Sequence, residues 1–149
     1  EVEFVYTGGG NDVPKNVTRV VIAPGVAELG ERAFFGCAKL RHVVLNEWIE
    51  TIGNSAFQDC ASLESIELPS TVTRIGERAF RNCSKLRRLV LKEDMEIIEL
   101  SAFSKCVAME SITLPSRIAE IGLCAFKSCD KLKHLVLNDG LVTIGCLAF

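Results

Sequence analysis

Cysteine and histidine are the side chains in this sequence that could support covalent or metal chemistry. The chain has seven cysteines and two histidines, and a cysteine thiolate activated by a histidine is a common enzymatic nucleophile. His42 and His134 stand 92 residues apart, which is four repeat units or roughly 19 Å in a stack of strands, so they cannot share a metal ion. There is also no CxxC pair and no histidine-carboxylate cluster with ligand spacing. The sequence therefore predicts no catalytic residue, no cofactor and no metal site.

Five of the cysteines share one position in a repeat, and this decides how their chemistry is interpreted. They follow one another every 23 residues, at Cys37, Cys60, Cys83, Cys106 and Cys129. Buried free thiols are the favoured interpretation, because a free cysteine packs as a small hydrophobic side chain. Disulfides between neighbouring units are the alternative, and they would need side chains that point along the stack rather than inward. Free thiols weakly favour a reducing intracellular compartment, so the compartment is left open.

The cysteines belong to a longer repeat in which the dipeptide Ala-Phe recurs with the same period. Its phenylalanines fall at Phe34, Phe57, Phe80, Phe103, Phe126 and Phe149. A unit of this length cannot bury its own apolar face, so it must stack on a copy of itself. We therefore predict one repeat array over residues 17–149, preceded by an N-terminal cap over residues 1–16.

Each unit is predicted to contain two short extended segments joined by turns. In one unit Ile66 and Leu68 alternate with the outward residues Ser65 and Glu67, as a strand requires. The segment that ends at Ile75 predicts a second strand on the opposite wall. A glycine follows it in most units, which we interpret as a turn with unusual torsions, and the Ala-Phe segment then predicts about one helical turn. The glycines are Gly30, Gly53, Gly76, Gly122 and Gly145.

The two ends of the array depart from the repeat. The first unit, residues 17–30, lacks the preceding phenylalanine and cysteine, and Asn11 and Pro14 take their places. The sequence stops at Phe149 in mid-unit. A terminal unit has no neighbour to cover it, so we expect further chain or a partner to cover the C-terminal end.

Composition argues against several other classes of protein. Of the 149 residues 48% are hydrophobic and 24% are charged, with a formal net charge of -2, which is ordinary for a folded domain. A dedicated nucleic-acid binder usually carries a basic stripe, so we expect no nucleic-acid partner. No apolar run approaches the ~18 residues of a membrane span. The remaining expectation is that the partner is another protein.

The repeated motif is also similar to a known family. In one unit it reads Leu68-Pro69-Ser70-x-Val72-x-x-Ile75-Gly76-x-x-Ala79-Phe80-x-x-Cys83-x-x-Leu86. This pattern resembles the BspA-like, or Treponema pallidum type, leucine-rich repeat, and the resemblance covers residues 17–149. It implies a leucine-rich-repeat solenoid, a right-handed curved stack with a concave parallel β-sheet, short opposite-wall strands and short helical turns. It also implies protein binding, often at microbial surfaces, and it supplies no catalytic motif.

The outward positions follow a longer period of 46 residues, which is two units. Just before each strand, basic and acidic residues alternate at Arg41, Glu64, Arg87, Glu110 and Lys133. Strands in register would bring opposite charges together, and each exposed pair would contribute about 0–1 kcal/mol. The alternative is a patterned docking face. Its further candidate residues are His42, Val44, Glu67, Arg88, Val90, His134 and Val136.

Residues that break both periods are also candidates for contacts. Trp48 is the single tryptophan and follows a strand, where it could bind a partner or pack across a neighbouring loop. The slots just before Ala-Phe become apolar towards the C-terminus, at Leu100, Leu123 and Leu147. They predict either an exposed interface or local packing beneath further chain.

Two functions follow from these candidates. The first is a non-catalytic scaffold that binds a protein partner through its concave face and loop edge. The second is a structural subunit built permanently into a larger complex through the C-terminal apolar residues. An enzyme is a distant third, and the identity of the partner is left open.

Overall fold

Parallel strands on two opposite walls form a solenoid. The computed structural model describes residues 1–9 and 12–149, and the strand pairings in it are parallel. The front wall contains β1 (Glu3–Tyr6), β2 (Arg19–Ile22), β4 (His42–Val44), β6 (Ser65–Glu67), β8 (Arg88–Val90), β10 (Ser111–Thr113) and β12 (His134–Val136). The back wall contains β3 (Glu28–Leu29), β5 (Thr51–Ile52), β7 (Arg74–Ile75), β9 (Ile97–Ile98), β11 (Glu120–Ile121) and β13 (Thr143–Ile144). The predicted stack of short units is confirmed.

The two walls differ in continuity, although the prediction was a single sheet on the front wall. The back-wall strands form one six-stranded sheet, in which each strand pairs with the strand one unit away. The front wall divides into β1-β2-β4, β6-β8 and β10-β12. Pairing is therefore interrupted between β4 and β6 and between β8 and β10. These interruptions recur every two units, which is the period of the outward residues.

Prolines contribute to these interruptions. Pro69 and Pro115 stand two residues after β6 and β10, the strands that do not pair with the preceding unit. Proline has no N–H group, so it cannot extend a ladder of hydrogen bonds beyond the strand. Pro24 lies one slot later in the repeat, at the position of Ser70, and β2 pairs on both sides. A proline in the slot of Pro69 therefore coincides with each interruption.

A column of stacked phenylalanine rings runs through the core. Ring centroids of successive units, from Phe34 to Phe149, lie 5.1–5.4 Å apart with interplanar angles of 2–20°. Tyr6 continues the column at the N-terminal end, with its ring centroid 5.1 Å from that of Phe34 and the two ring planes at 61°. Each ring is covered mainly by the unit above and the unit below, because its own unit is too short to enclose it. The column therefore ties neighbouring units together.

The segment around Ala-Phe is a run of turns, and no helix is assigned in residues 1–9 or 12–149, contrary to the predicted helical turn. Within one unit, the N–H groups of Ala79, Arg81 and Cys83 each donate to the carbonyl three residues earlier. The intervening N–H groups of Arg78, Phe80 and Asn82 donate to carbonyls of the next unit, over 2.8–2.9 Å. Arg78 and Asn82 have positive φ of 55° and 60°, which turns their N–H groups outward from the local turn. The segment thus links units as a strand does.

The glycines after β5, β7, β11 and β13 serve close packing, and the interpretation of the repeat glycines as a torsional requirement is wrong. None of these glycines is among the residues with positive φ. A Cβ on Gly53 would lie 2.4 Å from the carbonyl oxygen of Leu29 and 2.9 Å from the carbonyl carbon of Gly30. The backbones of neighbouring units approach here more closely than a side chain allows.

The N-terminal segment extends the front wall. β1 pairs with β2 in register, and the N–H of Val2 donates to Oγ1 of Thr18 over 2.9 Å. The predicted substitution of Asn11 for a core phenylalanine lies outside the described residues, as does Gly10 of the same segment. The boundary between cap and array at residue 16 stays a prediction.

Replacing Gly53 with alanine tests the close approach of the units. The new methyl group would overlap the backbone of the preceding unit, and such overpacking costs about 1–3 kcal/mol. Gly30→Ala is the matched control, because a Cβ there meets only the hydroxyl of Tyr6 at 3.5 Å. We expect thermal unfolding to show a lowered Tm for Gly53→Ala and a nearly unchanged Tm for Gly30→Ala. Equal effects at both positions would contradict this account.

Candidate interaction surface

The front-wall strands present their side chains in regular rows because the strands are in register. In β8, Arg88 and Val90 point outward on either side of the core residue Leu89. The first outward row contains His42, Ser65, Arg88, Ser111 and His134. The second outward row contains Val44, Glu67, Val90, Thr113 and Val136. All of these residues are exposed, so the predicted docking residues do lie on one wall.

The charged residues that precede the strands form a third row beside these two. The pre-strand row contains Arg41, Glu64, Arg87, Glu110 and Lys133, all of them exposed. The N–H of Arg87 donates to the carbonyl of Glu64 over 2.9 Å, and Lys133 and Glu110 are joined in the same way. Within residues 1–9 and 12–149, however, none of these side chains forms an ion pair with another member of the row. The predicted stabilising ladder therefore has no ionic contact to support it.

Shallow grooves lie at the two interruptions of the front wall. At the β4–β6 interruption, two adjoining cavities of about 430 and 360 Å³ share Val43, Val44 and Glu67 as lining residues. At the β8–β10 interruption, a cavity of about 200 Å³ is lined by residues that include Val90 and Ile112. We call these the first and the second groove. The first groove brings together five predicted site residues: His42, Val44, Glu67, Arg88 and Val90.

One side of the first groove carries an ion pair. Nζ of Lys92 lies 3.4 Å from Oε1 of Glu67, and both residues line the groove. Glu67 is exposed and Lys92 is half-buried. The contact is weak because solvent screens it. A ligand group that reaches this side can therefore meet either charge.

Trp48 is placed at the edge of the front wall by a neighbouring asparagine. Nδ2 of Asn46 donates to the carbonyls of Ala23 and Val26 in the preceding unit, over 2.5 and 3.2 Å. Its Oδ1 accepts the N–H of Trp48 at 2.7 Å, which fixes the turn. Trp48 is 62% exposed. Its neighbour Glu47 lines the first groove.

The apolar residues before Ala-Phe are exposed to different degrees. Leu100 is half-buried, Leu123 is exposed, and Leu147 is 63% exposed with a positive φ of 54°. They lie in the turn segment and not on the front wall, so they cannot share a binding site with the outward rows. We refer to them as the apolar row.

Some residues that shape the surface were not identified from the sequence. Asn138 holds the slot of Asn46 four units later, and its Nδ2 donates to the carbonyls of Pro115 and Ile118. Pro69 lines the first groove and Pro115 lines the second. Along the chain, the slot after each strand alternates between Asn46, Pro69, Lys92, Pro115 and Asn138. This alternation follows the 46-residue period and could have identified these residues from the sequence.

The five cysteines of the repeat are buried free thiols, as predicted. Sγ of Cys83 lies 3.1 Å from the carbonyl oxygen of Phe57 in the preceding unit, to which the thiol donates, and Cys60, Cys106 and Cys129 make equivalent contacts at 3.2 Å. Burial raises the pKa of Cys83 well above its usual value, and it raises the pKa of Cys129 to about 11. A thiol held in its protonated form is a poor nucleophile and a poor metal ligand. These residues serve packing between units.

The described part of the chain has neither a group of metal ligands nor a membrane-spanning helix. In residues 1–9 and 12–149, no three histidine, cysteine or acidic side chains are grouped as metal ligands. The same residues contain no helix long and apolar enough to cross a membrane. The arrangement on the front wall is instead suited to contact with another molecule over several units.

Comparison with known proteins agrees with the geometry of the repeat. The family model of the BspA type leucine rich repeat region matches residues 13–133 and 96–149 in 6 copies. The chain belongs to the BspA-type leucine-rich repeat family. Leucine-rich repeat proteins are typically non-enzymatic, and the family suggests a role in protein interaction. No curated protein matches the chain.

Solved structures of leucine-rich proteins share the fold over almost the whole chain. The T. pallidum leucine rich repeat protein has a TM-score of 0.85 and 29% identity, over 97% of this chain and 66% of its own. A leucine rich cell surface protein from Faecalibacterium prausnitzii has a TM-score of 0.81 and 26% identity, over 98% of this chain and 40% of its own. A leucine-rich repeat protein from Bacteroides ovatus has a TM-score of 0.69 and 27% identity, over 97% and 43%. The chain spans less than two thirds of the length of these proteins.

The buried thiols predict a loss of stability at alkaline pH. Above the usual thiol pKa of 9.0, cysteines of the unfolded chain lose protons that the buried thiols retain. The folded state then binds more protons, so the free energy of unfolding falls as the pH rises, by up to ~1.4 kcal/mol per pH unit for each thiol. We expect urea unfolding in reductant to show a shallower fall between about pH 9 and 11 for Cys83→Ala/Cys106→Ala. Cys146→Ala, which removes an exposed thiol, is the control. Identical slopes of the free energy of unfolding against pH for the unsubstituted protein, Cys83→Ala/Cys106→Ala and Cys146→Ala would refute the account.

Proposed function

We propose that this BspA-type chain is a non-catalytic scaffold that binds a protein partner through the front wall and its Trp48 edge. The observation that carries the proposal is a set of exposed valines on a regular strand wall, Val44, Val90 and Val136, which are 42–55% exposed. On the same three strands the inward apolar side chains Val43, Leu89 and Leu135 are buried or half-buried. Exposed aliphatic side chains beside unpaired charges are typical of surfaces that close on a partner.

The charged side chains beside these valines orient the partner. Arg87 and Arg88 precede Val90 on one strand, and neither forms an ion pair within residues 1–9 and 12–149. Such charges contribute to the rate and specificity of association more than to affinity. Trp48 adds a large amphipathic side chain at the loop edge, and tryptophan is enriched where interfaces gain most of their binding energy.

A non-catalytic role is supported by the state of the thiols. The cysteines of the repeat are buried, and burial raises the pKa of Cys83 and Cys106 above the usual value. A cysteine nucleophile needs exposure and a lowered pKa. His42 and His134 lie on exposed strand positions of β4 and β12, four units apart on the front wall. We therefore propose binding rather than turnover.

Site-specific photo-crosslinking tests this proposal. A photoreactive phenylalanine analogue in place of Val90 should capture a partner from native-source extract, which mass spectrometry then identifies. The same analogue in place of Ile97 is the matched control, because Ile97 is 40% exposed on the back wall. Capture of one protein from Val90 and not from Ile97 is the expected result. Capture that occurs only from Ile97 would overturn the assignment to the front wall.

A structural subunit is the second candidate, because the apolar row leaves Leu123 and Leu147 exposed on the turn side. This candidate predicts that the isolated chain self-associates, and that Leu123→Glu/Leu147→Glu restores a monomer. The scaffold predicts a monomer for both proteins. Light scattering coupled to size-exclusion chromatography distinguishes the two, with Val44→Glu/Val136→Glu as the control on the front wall.

A further inference from the structure

The two grooves of the front wall differ in charge. One cavity of the first groove, of about 360 Å³, is lined by three basic residues and a serine among others: Arg19, His42, Arg88 and Ser65. Among the described residues that line the second groove none is basic, and one, Glu93, is acidic. Both grooves lie at interruptions of the same wall, so the basic side chains distinguish the first groove from the second. We call this cavity the basic half of the first groove.

The four polar residues of the basic half hold one row position on four consecutive strands. Arg19 and His42 are register partners in the pair β2-β4, and Ser65 and Arg88 are register partners in the pair β6-β8. His42 and Ser65 therefore stand on the two sides of the interruption, and the two arginines flank them. Because an arginine carries its guanidinium at the end of a flexible stem, N–H and O–H donors from all four strands can meet in this cavity.

Ion pairs offset two of the charges in the first groove and leave Arg88 without a counter-ion. Nε of Arg19 lies 2.8 Å from Oε2 of Glu3, and Lys92 offsets Glu67. Arg88 forms no ion pair within residues 1–9 and 12–149. The basic half therefore presents an uncompensated positive charge beside further hydrogen-bond donors, and an anionic group is the ligand that this arrangement favours.

The number of donors selects among anionic groups. Arg88 offers a planar fork of N–H groups, and Ser65 offers a hydroxyl on the paired strand. A carboxylate presents two oxygens, and one arginine fork engages both of them. A phosphomonoester presents three oxygens and up to about two negative charges, so it can accept from the fork and from Ser65 and His42 together. A phosphomonoester therefore uses more of the donors than a carboxylate does.

The other half of the first groove favours a phosphoryl group that belongs to a larger ligand. Its cavity of about 430 Å³ shares lining residues with the basic half, and five of its lining residues are apolar: Val43, Val44, Leu45, Leu68 and Pro69. We call this cavity the apolar half. A free phosphate ion would leave these side chains in water, whereas a protein segment can cover them with an apolar side chain. The two halves together fit a phosphorylated segment of a protein.

We propose that the first groove binds a phosphorylated serine of a partner protein, with the phosphoryl group against Arg88, Ser65 and His42. A neighbouring apolar side chain of the same segment lies in the apolar half. Serine fits because the groove is shallow, and a short side chain lets the segment contact Val44 while its phosphoryl group reaches Ser65. The proposal rests on the proposed function, since it names the chemistry that the scaffold recognises.

Fluorescence anisotropy with short peptides tests the ligand. The peptide Gly-Leu-Gly-Ser-Gly-Leu-Gly, labelled and phosphorylated at serine, has a leucine on either side and so fits the groove in both chain directions. We expect it to bind at least about tenfold more tightly than its unphosphorylated form or a peptide with glutamate in place of serine. Its affinity should fall as the salt concentration rises. Equal binding of the glutamate peptide would show that any carboxylate suffices, and would overturn the proposal.

Competition experiments distinguish a protein ligand from other sources of phosphate. Replacing both leucines of the phosphorylated peptide with serine should weaken binding at least about threefold, because the apolar half is then uncovered. Inorganic phosphate and vesicles that contain phosphatidic acid, at equal phosphate concentration, should displace the labelled peptide less than the unlabelled peptide does. If either competes as well as the unlabelled peptide, the ligand is a free ion or a lipid surface, and the proposal is overturned.

Arginine variants locate the phosphoryl group. Arg88→Gln should weaken binding of the phosphorylated peptide at least about tenfold, because it removes the uncompensated charge of the basic half. Arg81→Gln removes the same charge from the turn segment and should alter binding less than about threefold. Equal losses in the two variants would show a response to net charge alone, which the proposal does not survive.

Serine variants distinguish the two grooves. Ser65→Glu places a negative charge in the basic half and should weaken binding of the phosphorylated peptide at least about tenfold. Ser111→Glu makes the same change at the same row position beside the second groove, and we expect less than about a threefold effect. Both serines are exposed, and thermal unfolding confirms that both variants are folded. A larger loss for Ser111→Glu would place the ligand elsewhere and contradict the proposal.

The crosslinking experiment separates this proposal from the proposed function. If Val90 captures a protein but phosphorylation of the peptide gives no advantage, the ligand assignment is wrong and the scaffold stands. If capture occurs only from Ile97, the scaffold assignment to the front wall fails, and the proposal about its ligand fails with it.

Discussion

Contact between neighbouring units is the constraint on which the rest of the structure depends. A single unit contributes two strands of two or three residues and one phenylalanine, none of which could be stable alone. The rings stack at 5.1–5.4 Å, and the turn segment donates hydrogen bonds to the next unit at 2.8–2.9 Å. At Gly53, Gly76, Gly122 and Gly145 an added Cβ would overlap the backbone of the preceding unit. Fold, thiol protonation and surface rows all follow from this stacking.

The inward part of the structure was predictable because every unit meets the same environment. The positions of Ile66, Phe80 and Cys83 could be assigned from their recurrence alone, and all three are buried. The reason for the glycines was not predictable in the same way. Gly53 and a glycine with positive φ, such as Gly36, look alike in a sequence, and only the distance to the preceding backbone distinguishes them. The run of turns was likewise mistaken for a helical turn, since hydrogen bonds to the next unit leave no local signal.

The outward surface was predictable only in part, because it depends on which strands pair. The rows of His42, Arg88 and Val90 followed from alternation along a strand. The interruptions beside β6 and β10, and hence the grooves, coincide with Pro69 and Pro115. Asn46 was missed because its two hydrogen bonds reach carbonyls in the preceding unit, which no local motif identifies. The sequence thus indicated the wall and its residues but not their division into pairs of units.

The coincidence of the two periods has a physical explanation. Core slots tolerate no alternation, because a ring or thiol of different size in every second unit would leave a cavity or an overlap in the column. Outward slots face solvent and can alternate at little energetic cost. Once alternate strands carry a proline, the pairing divides every second unit, and the grooves acquire the period of the charges. The grooves and the alternating charges of the front wall therefore share the two-unit period, while the core keeps the period of one unit.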